Sequence, residues 1–169
     1  KDTLLTAKSY GVLHKTFNDN SQYDQANIYI DRAIALMKKI DPQSRLLVAY
    51  YLRSAFTACY QYKFDKVKKI LDQTKNLLKR FPDSKEMLDN YEVEGIYFME
   101  GTRESDKALA SLDKGQKLAK KMGNEYKVTT FLLQKYNVYL NNNQYDKGIP
   151  ILMEVAKDVD FMKYALNKQ

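Results

Sequence analysis

Apolar residues recur three and four positions apart over most of the chain, the spacing of one helix face. After Asp65 the set Val67, Ile70, Leu71, Thr74, Leu77, Leu78 and Phe81 keeps that spacing, while Lys66, Lys68, Lys69, Lys75, Lys79 and Arg80 take the flanks and back. Ala26, Ile30, Ala33, Met37 and Ile40 do the same after Asp24. So do Ala108, Leu112, Gly115, Ala119 and Met122 after Asp106, and Ile149, Leu152, Val155 and Val159 after Asp146. Upstream of each set lies a second helical segment, richer in aromatics, over roughly 4–19, 43–61, 84–101 and 124–142. Asp41-Pro42, Pro82-Asp83-Ser84 and Gly123-Asn124 close the later helix of a pair; Asn18-Asp19-Asn20-Ser21 and Asn141-Asn142-Asn143 close the earlier one. No stretch alternates with the period of two that a half-buried strand requires, so the pattern predicts an all-α chain.

The pairs are copies of one unit. QYDQA, KFDKV, ESDKA and QYDKG place Tyr23, Phe64, Ser105 and Tyr145 at separations of 41, 41 and 40 residues. Each is followed by an aspartate and then, two residues on, by a small or short residue: Ala26, Val67, Ala108 and Gly148. A fixed period in this range marks a stacked array of helical repeats. The aspartate falls in the first turn of the later helix, where free amides and the helix dipole favour a carboxylate by about 0.3–1 kcal/mol. Four repeats are expected at about 4–41, 43–82, 84–123 and 124–158, with a terminal helix over 160–168, all in one domain over 1–169. The chain starts without methionine, which suits a piece of a longer protein.

Tyr10, Leu13, Phe17, Tyr23, Ala26, Ile30 and Ala33 stand at the spacings of the large and small signature positions of the tetratricopeptide repeat (TPR), which this array resembles. The third copy resembles it through Tyr91, Gly95, Phe98, Ala108, Leu112 and Gly115, with one extra residue in the turn. The second copy (Tyr51, Ala55, Phe64, Val67, Leu71) and the fourth (Tyr136, Tyr139, Tyr145, Gly148, Leu152) follow it less closely. The resemblance implies a right-handed α-solenoid of four helix pairs. There are departures: the period exceeds the usual ~34, His14 stands where the family has a small residue, and the proline at the end of each repeat is displaced or missing. HEAT-type repeats, with periods of about 40–47, are the architectural rival. Long-period repeats of this kind are similar to sensor and partner-binding regions of bacterial signalling regulators.

Candidate chemistry is sparse. One histidine and one cysteine among 169 residues rule out a disulfide framework, and with it His-x-x-x-His and multi-cysteine metal patterns. No phosphate-binding glycine loop or nucleophile elbow occurs. Cys59 lies among Ala58 and Tyr60 and reads as a small buried hydrophobe; His14 reads as packed between helices, neutral, with one nitrogen satisfied. A Cys59–His14 nucleophile pair lacks an orienting third group. The sequence therefore predicts a non-enzymatic chain with no cofactor and no metal.

Twenty-eight Lys and Arg against 21 Asp and Glu leave a net charge of +7, most simply a set of lysine-rich solvated faces. With fourteen tyrosines it also raises nucleic-acid binding as the alternative function. Most tyrosines, however, occupy packing positions, and most lysines flank apolar faces, a diffuse charge instead of an aromatic-lined basic track. Glu86, Asp89, Glu92, Glu94, Glu100 and Glu104 make one first helix acidic within this basic chain. In the family that helix type lines a concave groove, so the resemblance implies a groove lined by Lys8, Val12 and Lys15, then Leu52, Phe56 and Tyr60. Asp89, Glu92, Ile96 and Met99 follow, then Leu133 and Asn137. Such a surface, basic, then apolar, then acidic, suits a protein or peptide partner. The family's carboxylate clamp is not carried over, because Gly11 and Lys15 occupy its first pair of positions. Phe161, Met162, Tyr164, Ala165 and Leu166 predict self-association or cover by further chain at the C-terminal face. No apolar run spans a bilayer, so the chain reads as a soluble domain, with the cytoplasm favoured.

Overall fold

The computed structural model of the protein describes residues 2–157. Eight α-helices and no strand occur among them. They are α1 (Thr3–Asp19), α2 (Tyr23–Ile40), α3 (Arg45–Tyr60), α4 (Phe64–Leu78), α5 (Lys85–Ile96), α6 (Ser105–Lys121), α7 (Glu125–Asn141) and α8 (Tyr145–Ala156). A π-helical turn, Tyr97–Gly101, continues α5. The expected helix over 160–168, and the self-association assigned to it, lie outside the described residues. The chain divides into two compact units, Lys1–Val93 and Glu94–Gln169.

Each first helix begins on a side-chain cap. Asp2, Ser44, Ser84 and Asn124 accept from the amides of Leu5, Leu47, Met87 and Lys127 at 3.0–3.2 Å. The second helices begin without one. They start directly from the turn that closes the first helix, with Asp24, Asp65, Asp106 and Asp146 in the first turn as expected.

That turn has the same geometry each time. Ser21, Tyr62, Arg103 and Asn143 take left-handed backbone conformations with φ between 55° and 60°. In the first copy the Gln22 amide then donates to the Phe17 carbonyl at 2.8 Å and the Ser21 amide to that of Asn18 at 2.9 Å. Lys63–Ala58 and Gln144–Tyr139 repeat the longer bond at 2.9 Å in the second and fourth copies. These are the paired bonds that satisfy the last carbonyls of a helix. In the third copy the Glu104 amide reaches one residue further back, to Phe98 at 2.8 Å, and Thr102 bonds Tyr97 at 3.1 Å. The extra residue of the third repeat is therefore taken up inside the helix as a π turn, and the turn itself keeps its form.

In the first unit α2 packs on α1, α3 on α2 and α4 on α3. Ala7, Gly11 and His14 face Ala26, Ile30, Ala33, Ile34 and Met37 and the large side chains of α3. α3 is covered nearly all round, as its apolar composition requires, and its Val48 and Leu52 join Leu78, Leu77, Phe81 and Met87 in one cluster. Each aliphatic side chain removed from water in this way is worth about 1.5–3 kcal/mol. In the second unit α7 packs between α6 and α8. There Gly115 lets the Phe131 ring lie against the α6 backbone, and Gly95 admits Leu112. The small residue of each repeated phrase, Ala26, Val67, Ala108 and Gly148, is buried in all four copies. In α8 the expected apolar face is only half used: Gly148 and Val155 are buried, while Ile149, Leu152 and Met153 are exposed.

Candidate functional site

The repeated phrase joins neighbouring copies. Tyr23 stacks on Tyr60, centroids 5.7 Å apart and planes 18° apart, and Gln61 Nε2 donates to Asp24 Oδ1 at 3.1 Å. Asn27 Nδ2 donates to Gln61 Oε1 at 2.9 Å, and Lys66 Nζ to Asn27 Oδ1 at 3.1 Å. In the second unit Asn142 Nδ2 donates to Ser105 Oγ at 2.8 Å, the same joint with different side chains. Residues used in this way are held by their neighbours, which moves the search for function to positions that differ between copies.

Lys8, Val12 and Lys15 are exposed on α1, Val12 at 65 %, and Lys15 pairs with Asp19 one turn on. On α3, Phe56 is half-buried and Tyr60 is 57 % exposed. The separation that relates Tyr23 to Phe64 also relates Lys15 to Phe56 and Asp19 to Tyr60. One position pair in successive first helices thus carries an ion pair in the first copy and two aromatics in the second. Val12 shares its register with Arg53, whose guanidinium lies 5.7 Å from the Tyr50 ring centroid and whose Nη1 donates to the Gly11 carbonyl at 3.4 Å.

Two expected groove residues are not accessible. Leu52 is 1 % exposed, because α4 and the Phe81 segment cover that side of α3, and Met99 is 7 % exposed on the π turn. Both belong to the core. Asp89 and Glu92 in the first unit, and Ile96, Leu133 and Asn137 in the second, are half-buried. The acidic run is also partly committed to internal contacts. Glu86 Oε2 accepts from Arg45 Nε at 2.5 Å, and Glu94 Oε2 from Ser111 Oγ at 3.1 Å. Hydrogen bonds from Lys107 and Thr102 hold the Glu104 carboxyl below its ordinary range.

The two nucleophile candidates are both inside. Cys59 is buried on α3. His14, 4 % exposed, has its Nε2 3.0 Å from Thr57 Oγ1. Thr57 gives its own proton to Asn18 Oδ1 at 2.8 Å or to the Arg53 carbonyl at 3.1 Å. It therefore meets His14 as an acceptor, which places the imidazole proton on Nε2. Nδ1 is left as a bare lone pair with no partner. Burial first, then the Arg53 charge, lowers the His14 pKa to about 4. This is a neutral packed histidine, in line with the expectation from sequence. Nothing in the sequence points to Thr57 as the partner of His14 or to Asn18 as the partner of Thr57, since Thr57 lies far away in the chain and Asn18 one turn on, on a polar face.

Among the described residues no group of three or more His, Cys, Asp or Glu side chains is placed to hold a metal ion. No helix among them is long and apolar enough to cross a membrane.

No family model and no curated protein matches the sequence. Solved structures do. The chain superposes on BtubC (BKLC) from P. vanneervenii with a TM-score of 0.76 at 13% identity, covering 100% of this chain and 67% of that one. It also superposes on a Podosopora anserina kinesin light chain-like protein with nearly identical TPR-like repeats. There the TM-score is 0.73 at 13% identity, over 94% of this chain and 78% of that one. A second crystal structure of such a protein gives 0.64 at 13% identity, over 89% and 74%. With only helices among the described residues, four closing turns of one form and these superpositions together, the fold is that of a TPR-like helical repeat, an α-solenoid class.

Proposed function

We propose that the chain is a non-enzymatic scaffold that binds a peptide segment of another protein along the first-helix face of its first unit. TPR-like repeats generally serve as protein-interaction modules, and BtubC and the kinesin light chain-like proteins share the fold. One observation carries the reading to particular residues. Phe56 and Tyr60 present aromatic surface in the register where the preceding copy presents Lys15 and Asp19, with Lys8 exposed on the same helix. Residues four apart on a helix are neighbours, so Phe56 lies beside Tyr60, which stacks on Tyr23 yet stays 57 % exposed, next to a basic strip. Partly exposed aromatics anchored by packing are the residue type that dominates peptide affinity, at about 2 kcal/mol or more each. The segment they suit carries an apolar side chain with an acidic flank. Half-buried Asp89 and Glu92 add the acidic end of the same unit. In its narrower form the proposal makes the chain the sensor or adaptor region of a larger regulator.

Random peptide display on the immobilised chain tests this. Enriched peptides should combine an apolar anchor with acidic residues, and Phe56→Ala with Tyr60→Ala should weaken them more than tenfold while the helical circular dichroism stays intact. Equal binding to the double variant refutes the surface. Binding of single-stranded nucleic acid, with an affinity that falls steeply between low and moderate salt, would support the basic-surface alternative instead.

A further inference from the structure

A cleft of about 480 Å³ opens in the first unit where α2, α3 and α4 meet, on residues that the peptide-binding proposal does not use. Ile34, Tyr51 and Ile70 form its apolar wall, and Lys38, Lys66 and Lys69 stand around it. Ser54, 1 % exposed, also lines it, and the Ser54 hydroxyl is buried with no hydrogen-bond partner. A buried hydroxyl left unpaired beside an open volume is uncommon, because the unmade bond is a standing cost.

The second unit shows what fills the same seam from within. Lys135 stands to Ser54, and Asp113 to Asp31, as the later repeated phrases stand to the earlier ones. The Lys135 side chain is largely buried; its Nζ donates to Asp113 Oδ1 at 2.7 Å and to Gln116 Oε1 at 3.3 Å. In the first unit a serine replaces that long side chain, so the volume stays open. Asp31 faces Lys66 Nζ at 3.8 Å instead, and the same Nζ donates to Asn27 Oδ1.

The charge that remains is positive. Lys66 is taken by Asp31, whereas the Lys38 ammonium lies over the Tyr51 ring at 5.6 Å and pairs with no carboxylate among the described residues. Lys69 has no partner among them. Three ammonium groups line the cleft against the two carboxylates of Asp31 and Asp65. We propose that this cleft binds a small organic anion with an apolar body. The apolar part lies against Ile34, Ile70 and Tyr51, the acidic head meets Lys69 and Lys38, and a polar atom of the ligand completes the Ser54 hydroxyl. The mixture of an apolar wall with a few placed polar groups is the usual make-up of a small-ligand site.

Octanoate is a suitable probe, titrated into the full chain by calorimetry, with amide chemical shifts to locate it. Saturable one-site binding with a millimolar or tighter Kd, and shifts centred on Ile34 and Ile70, is expected. Octyltrimethylammonium and inorganic phosphate should each bind at least tenfold more weakly, one carrying the opposite charge and the other lacking the apolar body. Ser54→Met, which fills the floor much as the Lys135 stem does, and Lys69→Glu should each lower octanoate affinity at least tenfold. Lys79→Glu, an exposed charge change on the same unit, should not. If Ser54→Met fails to fold, Lys69→Glu alone decides, since Lys69 is exposed. No saturable binding up to 10 mM overturns the proposal. So does equal binding of the cation or of phosphate, or unchanged affinity in Lys69→Glu.

Discussion

One buried side chain should make this fold weaken in acid. His14 is buried in its neutral form, with a pKa lowered from 6.5 to about 4 by burial and by Arg53, to which Lys66 adds and which Asp19 opposes. In the unfolded chain the imidazole takes up a proton as pH drops below about 6.5, whereas the folded chain resists until about 4. The stability that follows from the neutral ring is therefore complete above pH 6.5 and is lost as pH falls from there to 4. About two and a half pK units at about 1.4 kcal/mol each correspond to roughly 3 kcal/mol, a large share of the ~5–15 kcal/mol typical of a domain. The structural cause is specific: Nε2–H is held by Thr57, and a proton on Nδ1 has no acceptor to meet. Carboxylates also titrate in this range, so the measurement is a difference. Urea unfolding of the native chain and of His14→Gln, which keeps a donor for Thr57, is compared at pH 7 and pH 4. The native chain should lose about 3 kcal/mol more than the variant. Because the chain has one histidine, its C2 proton also reports the titration directly by NMR. Parallel stability curves, or a midpoint near 6.5 in the folded protein, would falsify the reasoning.

Arg103→Gly should raise stability by about 0.5–1 kcal/mol, since relief of a left-handed side chain (~1–2 kcal/mol) exceeds the added freedom of the unfolded chain (~0.4–1 kcal/mol). Gly123→Ala, at φ 64° with open space around it, should move the thermal midpoint the other way. Gly115→Ala should cost about 2 kcal/mol in denaturant, because its Cβ would stand 2.3 Å from ring atoms of the fully buried Phe131. Gly148→Ala, 3.2 Å from a half-buried Tyr136 ring, should be near neutral, and equal losses at the two sites would refute this reading of the contacts. A double-mutant cycle of Asp24→Ala with Gln61→Ala should show a coupling of about 0.5–1 kcal/mol, and zero coupling would mean the joint is not held there.

Features that depend on local spacing were legible in the sequence. The helix pairs, the period, the first-turn aspartates and the buried small residue of each phrase all follow from the 3.6-residue repeat and the breaks between helices. Features that depend on what covers a helix were not. Leu52 reads as one side of an amphipathic helix, yet α3 is covered on that side as well, which no local pattern states. Ile149 and Leu152 share the apolar spacing of the buried sets in other copies but stay exposed on α8. The extra residue of the third copy could be counted but not placed, because a π turn and a longer loop have the same length in sequence. The left-handed residues Tyr62 and Arg103 carry no glycine or asparagine to mark them; only the recurrence of the turn reveals the conformation.

The repeated residues and the proposed binding residues are largely set apart by geometry, Tyr60 alone belonging to both through its stack on Tyr23. Every copy must close its first helix, begin its second and hold the next copy, and Tyr23, Asp24 and Ser105 spend their rings and polar atoms on those tasks. A group already bonded to its neighbour gains little by meeting a ligand, since it must first give up a bond it has. Positions outside the joint are free of that constraint, and there the copies diverge in kind: Lys15 against Phe56 on the first-helix face, Ser54 against Lys135 in the seam. The first contrast replaces a solvated charge by aromatic surface, which is the change a peptide reads. The second replaces an internal plug by an open, unsatisfied cleft, which is the change a small ligand reads. Both lie in the first unit on different sets of residues, so Phe56→Ala should spare octanoate binding and Lys69→Glu should spare the peptide.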